Sequence, residues 1–376
     1  MLGSTARAET AARLASCRTS DRPAERLEAL DTVRVPVDVL LKAFMGEQVS
    51  GLSRLDPALE RIGREIADLV CLGGKRLRPA FVYWGHRATG ADHLDGVLHA
   101  AAAVELLHNF ALVHDDVMDR SVWRRGRPAV HVALANVHAE DGLAGDAGWF
   151  GVSGAILAGD LAFVWSDRLF DEAPLSADAL ARARQVFTEL RVEVMAGQYL
   201  DLRLAGSDAA TEPDALHVAL LKSGRYTVTR PLQLGAAIGG VDPALDAALV
   251  GYGDAIGLAF QLRDDVLGLY GDPGTTGKGA LEDLREGKRT VLILRAMSLC
   301  GPAERQDLSG LLGNPGIGEG DADRAREIVR DCGALESVER LMDVYQEQAR
   351  AHLATVPRPA RDALVELADL ALFRVV

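Results

Sequence analysis

Glu105-Leu-Leu-His-Asn-Phe-Ala-Leu-Val-His-Asp-Asp-Val-Met-Asp119 is the stretch from which the fold class is read. At 100° per residue it forms one helix. Asp115 and Asp119 (i, i+4) share a face, with Asp116 beside them and His108 two turns earlier. The rest of the chain extends the same pattern. From about Val35 onward Ala and Leu dominate, and strictly alternating β-branched runs are scarce. Gly and Pro clusters punctuate the chain, at Gly73-Gly74, Gly126–Pro128, Gly142–Gly151, Gly206–Pro213, Gly239–Pro243, Gly271–Gly279 and Gly313–Gly320. No internal repeat and no low-complexity linker divides it. The expectation is a single all-α domain over residues 34–376, preceded by an Arg- and Ala-rich extension, residues 1–33, that is partly disordered.

The three acids need an explanation. Two carboxylates 4 Å apart repel by roughly 4 kcal/mol at an effective dielectric near 20. Acids closing a helix also oppose its macrodipole. A solvated helix end is one account and a divalent cation is the other, since Mg²⁺ takes carboxylate and phosphate oxygens together. Arg124-Arg125-Gly126-Arg127-Pro128 follows within ten residues, and arginine forks match phosphate oxygens. Phe260-Gln-Leu-Arg-Asp-Asp-Val-Leu-Gly268 repeats the acidic pattern, with Gln261, Asp264, Asp265 and Gly268 on one helical face. A Gly-rich loop carrying Lys278 comes next, then Lys288, both suited to point-charge contact with phosphate. Gly277-Lys278 is not a P-loop, because Gly279 follows the lysine. Gly73-Gly-Lys-Arg-Leu-Arg-Pro79 supplies a further dense basic turn, and Lys222-Ser223 a weaker basic site.

Composition excludes other classes. Charges of 41 basic and 54 acidic side chains give 41 − 54 = −13, which argues against capture of a nucleic-acid backbone. No long uninterrupted apolar segment and no secretory leader stand out, so stable membrane insertion is not expected. Cys17, Cys71, Cys300 and Cys332 are widely spaced and read as reduced thiols of a cytoplasmic protein.

Taken together, these motifs resemble the trans-isoprenyl diphosphate synthases, or polyprenyl synthetases, over about nine-tenths of the chain, from Val35 to Leu372. Gly73–Pro79 matches GGKRxRP; Asp115–Asp119 and Arg124–Pro128 match DDxxD followed by RRGxP. Gly197–Leu202 matches GQxxDL, Lys222-Ser223 the Lys-Thr/Ser site, and Phe260–Asp265 FQxxDD. Gly277 through Thr290 matches GKxxxxDLxxGKxT. The resemblance implies a helical bundle around a deep central cavity, with the acidic motifs facing each other across its mouth. It implies three Mg²⁺ held by Asp115, Asp119 and Asp264, with Asp116, Lys222 and Lys278 in the catalytic set. An allylic diphosphate would be clamped by Arg124, Lys222 and Lys278, with Ser223, Gln261 and Lys288 among the substrate-binding residues. Isopentenyl diphosphate would sit in a metal-free pocket of Lys75, Arg78, His108 and Arg125. The reaction implied is ionisation of the allylic diphosphate, attack by the isopentenyl double bond and loss of a proton.

Three departures stand out. The last Asp of the second motif is Gly268, so that metal site relies on Asp264, with Asp265 through water and Asp283 as further candidates. The usual Thr after RRGxP is Ala129. The chain finishes Phe373-Arg-Val-Val376, without the basic end of some members. In this family, bulk before the first motif sets product length. Small Ala111 four residues back and bulky Phe110 five back resemble the geranylgeranyl (C20) class, with C15 the alternative. A terpene cyclase on the same scaffold and a non-catalytic subunit are the competing readings. The basic pocket argues against the first and the intact acids against the second. A homodimer is the family's usual assembly.

Overall fold

The structure, a computed structural model, describes residues 28–92, 94–271 and 280–372. Lys278 and the glycines around it lie outside these residues, as do residues 1–27 and 373–376. The chain is helical almost throughout. The first helices are α1 (Glu28–Leu55), α2 (Leu59–Cys71), α3 (Leu77–Ala88) and α4 (Asp95–Met118). After them come α5 (Val130–Glu140), α6 (Ala147–Asp171), α7 (Ala177–Ala205) and α8 (Glu212–Val218). A π-helical segment, Ala219–Thr229, leads into α9 (Arg230–Gly239) and α10 (Pro243–Tyr270). The C-terminal part comprises α11 (Ala280–Arg285), α12 (Val291–Leu299), α13 (Pro302–Leu311), α14 (Glu319–Asp331), α15 (Ala334–His352) and α16 (Ala360–Leu372).

Burial of apolar faces assembles these helices. A main core gathers Val33, Leu41, Phe81, Leu106, Leu107, Phe187, Leu232, Tyr252 and Leu364. A second core gathers Leu262, Val266, Leu269, Leu292, Leu308 and Val329. Helix α10 serves both, with Leu249–Phe260 in the first and Leu262–Leu269 in the second. The Asp264-Asp265 pair therefore sits on a helix that joins them.

One sequence boundary shifts. Helix α1 begins at Glu28 and buries Ala29, Leu30 and Val33, so residues 28–33 belong to the bundle and not to an extension. Helix α10 runs on to Tyr270, past Gly268.

Among the described residues two helices are long and apolar enough to cross a membrane by length and composition: Gly96–Met118 and Ala147–Asp171. The sequence reading expects neither; Asp160 interrupts the second in its middle. The first is mostly buried in the bundle. The second exposes Trp149, Phe150, Ile156, Leu157 and Val164, which recur at heptad-like spacing along one face. Helix α7 lies beside it, with Arg184 and Arg191 both bonded to Asp167 at 2.6 and 2.7 Å. It adds exposed Val192, Met195, Tyr199 and Leu202.

Candidate active site

Helix α4 delivers the first acids as expected. Asp115 lies on its last turn, and Asp119 caps its C-terminus. Burial raises the Asp115 carboxyl above the usual range and Asp119 adds to the rise, while Lys222 opposes it. Asp116 is turned away into the protein and is 1% exposed. Arg124 Nε donates to both its oxygens, at 2.9 and 3.1 Å. Asp116 therefore anchors Arg124, and neither group is freely offered to solvent.

The following arginines owe their positions to a minimal hairpin. Trp123–Arg124 (β1) pairs antiparallel with Arg127–Pro128 (β2), Arg124 opposite Arg127. Arg125 and Gly126 form the turn at φ of 52° and 74°. Two successive positive φ values make the primed turn that tight hairpins favour. Arg125 is thereby directed toward the Gly73 turn, where its Nη1 donates to the Gly73 carbonyl at 3.0 Å. The next residue, Ala129, is the N-cap of α5 and makes no side-chain cap hydrogen bond. The Thr usual in the family could cap there.

The Gly73–Pro79 turn divides its three cations. Lys75 is exposed. Arg76 points inward at 2% exposure, with φ of 52°. It is held by Glu105 at 2.6 Å, Asp38 at 2.7 Å and the Val70 carbonyl at 2.8 Å. Arg76 is thus the post that fixes the turn to α1 and α4. Sequence reasoning counted it only among the cations; its strained backbone and buried partners leave no trace in sequence. Arg78 donates to Thr227 Oγ1 at 2.9 Å and lies 4.6 Å from the Tyr226 ring centroid. Its buried Nε has no hydrogen-bond partner among the described residues. The Tyr226 hydroxyl is 3.4 Å from His108 Nδ1.

This pocket is short of negative charge. Burial and the neighbouring Arg76, Arg124 and Arg78 lower the Arg125 pKa, although Glu105 opposes the shift. Burial, then Arg78, Arg125, Arg124 and Arg76, hold His108 well below the ordinary imidazole value. His108 is therefore neutral at pH 6.5, where a free imidazole is half protonated. Because its folded pKa lies below the unfolded one, it costs stability as pH falls below about 6.5. Nitrogen-15 NMR of the His108 ring should show a neutral tautomer at pH 6. Added inorganic pyrophosphate should raise its pKa by offsetting the arginines. A titration near pH 6.5 unaffected by pyrophosphate would contradict the pocket's charge balance.

On the opposite side, Lys222 lies within the π-helical segment, with Ser223 half-buried beside it. π-Helical turns recur at functional sites. Two close approaches hold this one. A Cβ on Gly257 of α10 would come within 2.5 Å of Gly224 Cα, and a Cβ on Gly197 of α7 within 2.4 Å of the Lys222 nitrogen. That gives the glycine of GQxxDL a physical role, and its Asp201 binds Lys222 Nζ at 2.6 Å. Asp201 was quoted within a motif but not singled out as a site residue. Burial opposes the Lys222 charge, yet Asp201 and Asp115 outweigh it and raise its pKa.

The second acids complete the cleft. Gln261 donates to Asp265 Oδ1 at 2.8 Å. Burial, with Asp283, Asp264 and Asp201, pushes the Asp265 carboxyl up to about 7, against the Gln261 bond. Lys288 Nζ lies 3.5 Å from Asp119 and 3.3 Å from Asp283, and is also paired with Glu286. It thus links the end of α4 to the segment following the Lys278 loop. Among the described residues no three His, Cys, Asp or Glu side chains already converge on one point. The donor set still fits magnesium. It consists of all-oxygen ligands on two helices, with carboxyls at Asp115 and Asp265 that burial and acidic neighbours hold partly toward protonation. A cation that also takes phosphate oxygens and water would relieve this.

The polyprenyl synthetase family model matches residues 60–329. The chain belongs to the polyprenyl synthetase family. It is a prenyltransferase of the trans-isoprenyl diphosphate synthase type, similar to geranylgeranyl diphosphate synthases. The geranylgeranyl pyrophosphate synthase of Corynebacterium glutamicum, solved with isoprenyl diphosphate and magnesium, superimposes with a TM-score of 0.87 at 38% identity, covering 91% of this chain and 99% of that one. The geranylgeranyl diphosphate synthase of Methanosarcina mazei is 33% identical over 81% of this chain and 87% of its own. The geranylfarnesyl diphosphate synthase of Aeropyrum pernix is also 33% identical, over 79% of this chain and 88% of its own.

Proposed function

We propose that this synthase condenses isopentenyl diphosphate with allylic diphosphates and releases geranylgeranyl diphosphate as its main product. The observation that carries this is the pairing of two unlike anion sites. One is lined by acids that want a divalent cation. The other is the metal-free pocket of Lys75, Arg78, His108 and Arg125, with a buried Arg78 Nε that has no acceptor. An enzyme that only ionised one diphosphate would have no use for the second. Incubation with an allylic diphosphate alone should release no hydrocarbon; cyclic hydrocarbon in that incubation would favour a cyclase.

In this reading Asp115, Asp119 and Asp264 hold magnesium, three ions by analogy with the family. Bound magnesium neutralises charge on the leaving diphosphate. Lys222, in exchange for its bond to Asp201, and Lys288 hold the diphosphate's outer oxygens as point charges. Asp116 fixes Arg124 at the edge of that site. Arg78 and Arg125 orient isopentenyl diphosphate so that its double bond faces the allylic carbon. The allylic C–O bond breaks with its electron pair leaving on diphosphate, the new C–C bond forms, and a proton is lost to the departing diphosphate. Buried apolar walls keep water from the electron-deficient carbon.

The tail runs along α4, past Ala111. Phe110 closes that path, with its ring 4.8 Å from His114 and 5.1 Å from Phe163 of α6. The sequence reading did not include Phe163 in the floor. Phe110→Ala should lengthen the product by one or more five-carbon units, read by chromatography of the extracted alcohols. Unchanged length would remove Phe110 from the floor.

The exposed apolar stripes of α6 and α7 serve as a homodimer face. Asp160, exposed in the middle of α6, and the Asp167 ion pairs beside it suit a protein partner better than lipid. The free thiols of Cys71, Cys300 and Cys332 suit a reducing cytoplasm.

A further inference from the structure

Gly268 stands where the second acidic motif usually carries its last carboxylate. The space it leaves is filled. A Cβ built on Gly268 would come within 2.3 Å of Asp283 Oδ2 and 3.5 Å of Asp283 Cγ. The Asp283 carboxylate, carried on α11, therefore reaches the surface of α10 at the point from which a residue-268 side chain would project. On its other side Asp283 is 3.3 Å from Lys288, which in turn reaches Asp119 at 3.5 Å. One carboxylate thus lies between the two acidic helices without belonging to either.

We infer that Asp283 replaces residue 268 as the third carboxylate of the second metal site, which rests on the magnesium-dependent reading above. The substitution has a consequence that a helix-borne ligand would not have. The third ligand of a DDxxD motif is fixed by α10 whether or not metal is present. Asp283 sits on a separate six-residue helix, α11, so magnesium shared with Asp264 would tie α11 to α10. Lys288 holds Asp283 in reserve, and the incoming cation takes its place.

Magnesium titration in the presence of inorganic pyrophosphate, followed by calorimetry, tests this without turnover. Asp283→Ala should weaken magnesium binding about tenfold or more, the range typical of lost support at a metal site. Gly268→Asp combined with Asp283→Ala returns a carboxylate to the same place from α10, with the clashing atoms gone, and should recover most of that affinity. Gly268→Asp alone should not tighten binding, because two carboxylates would contend for one space. Asp283→Ala binding magnesium like the wild type would overturn the inference. So would a loss that the double variant fails to recover, because Asp283 would then act only by positioning Lys288. Wild-type protein that takes up no magnesium with pyrophosphate would instead overturn the parent reading of a metal-dependent synthase. Unfolding temperatures without metal check that each variant is folded.

Discussion

Replacing Asp115 with alanine is expected to slow condensation by roughly a thousandfold or more, equivalent to about 4 kcal/mol of lost transition-state stabilisation. The size follows from position. Asp115 is on the last turn of α4, half-buried, and near both Asp119 and Lys222. Removing it takes away a cation ligand and leaves Lys222 with Asp201 as its main acidic neighbour. The folded state should tolerate the change well. Burial raises the Asp115 pKa, so the ionised carboxylate is a burden on the fold and its loss relieves repulsion with Asp119. Circular dichroism should therefore be unchanged and the unfolding temperature equal or higher. Near-normal turnover would contradict the assignment of Asp115 to the metal. Asp116→Ala should behave differently. It strands Arg124, whose charge Asp116 neutralises at 2.9 and 3.1 Å, so stability as well as rate should fall.

The second large effect is expected at Arg78. Arg78→Ala should raise the Michaelis constant for isopentenyl diphosphate by about a hundredfold, the scale of a lost charge-assisted contact of about 3 kcal/mol. The constant for the allylic partner should move little. Arg78 is held by Thr227 and the Tyr226 ring, and its buried Nε has no hydrogen-bond partner among the described residues. Its loss should also let the His108 pKa rise, since Arg78 is the leading charge that depresses it. An effect confined to the allylic substrate would contradict the division into two pockets.

The sequence carried much of this because the chemistry is written in spacing. A DDxxD run at helical period puts its acids at the end of one helix, and α4 ends at Met118 with Asp119 as its cap. The positions of Arg124 and Arg125 were harder to foresee. They depend on a two-residue turn in which Arg125 adopts a positive φ, a conformation that residue type alone would not suggest. Arg76 was placed among the cations for a ligand, although it is a buried structural post. Only tertiary contact with Glu105 and Asp38 reveals that. The reach of Asp283 to Gly268 was legible as a possibility and no more, because it depends on how α11 folds back across α10. The apolar exposure of α6 is not legible in sequence, because only packing shows which of its apolar residues stay on the surface: Trp149, Phe150, Ile156, Leu157 and Val164 do.

The net charge of −13 also takes on a different meaning. It describes the surface. Local exceptions hold the chemistry, where acids would be reversed in sign by a cation and arginines crowd one pocket until the Arg125 pKa falls.

The central claim is that two diphosphates are bound in separate sites and joined into a C20 chain. Product analysis with isopentenyl diphosphate and each of the C5, C10 and C15 allylic diphosphates, with and without magnesium, tests it most directly. All three starters should converge on geranylgeranyl diphosphate, and none should be extended once magnesium is chelated. Failure of every starter to elongate in the presence of magnesium, or elongation that persists after chelation, would contradict it.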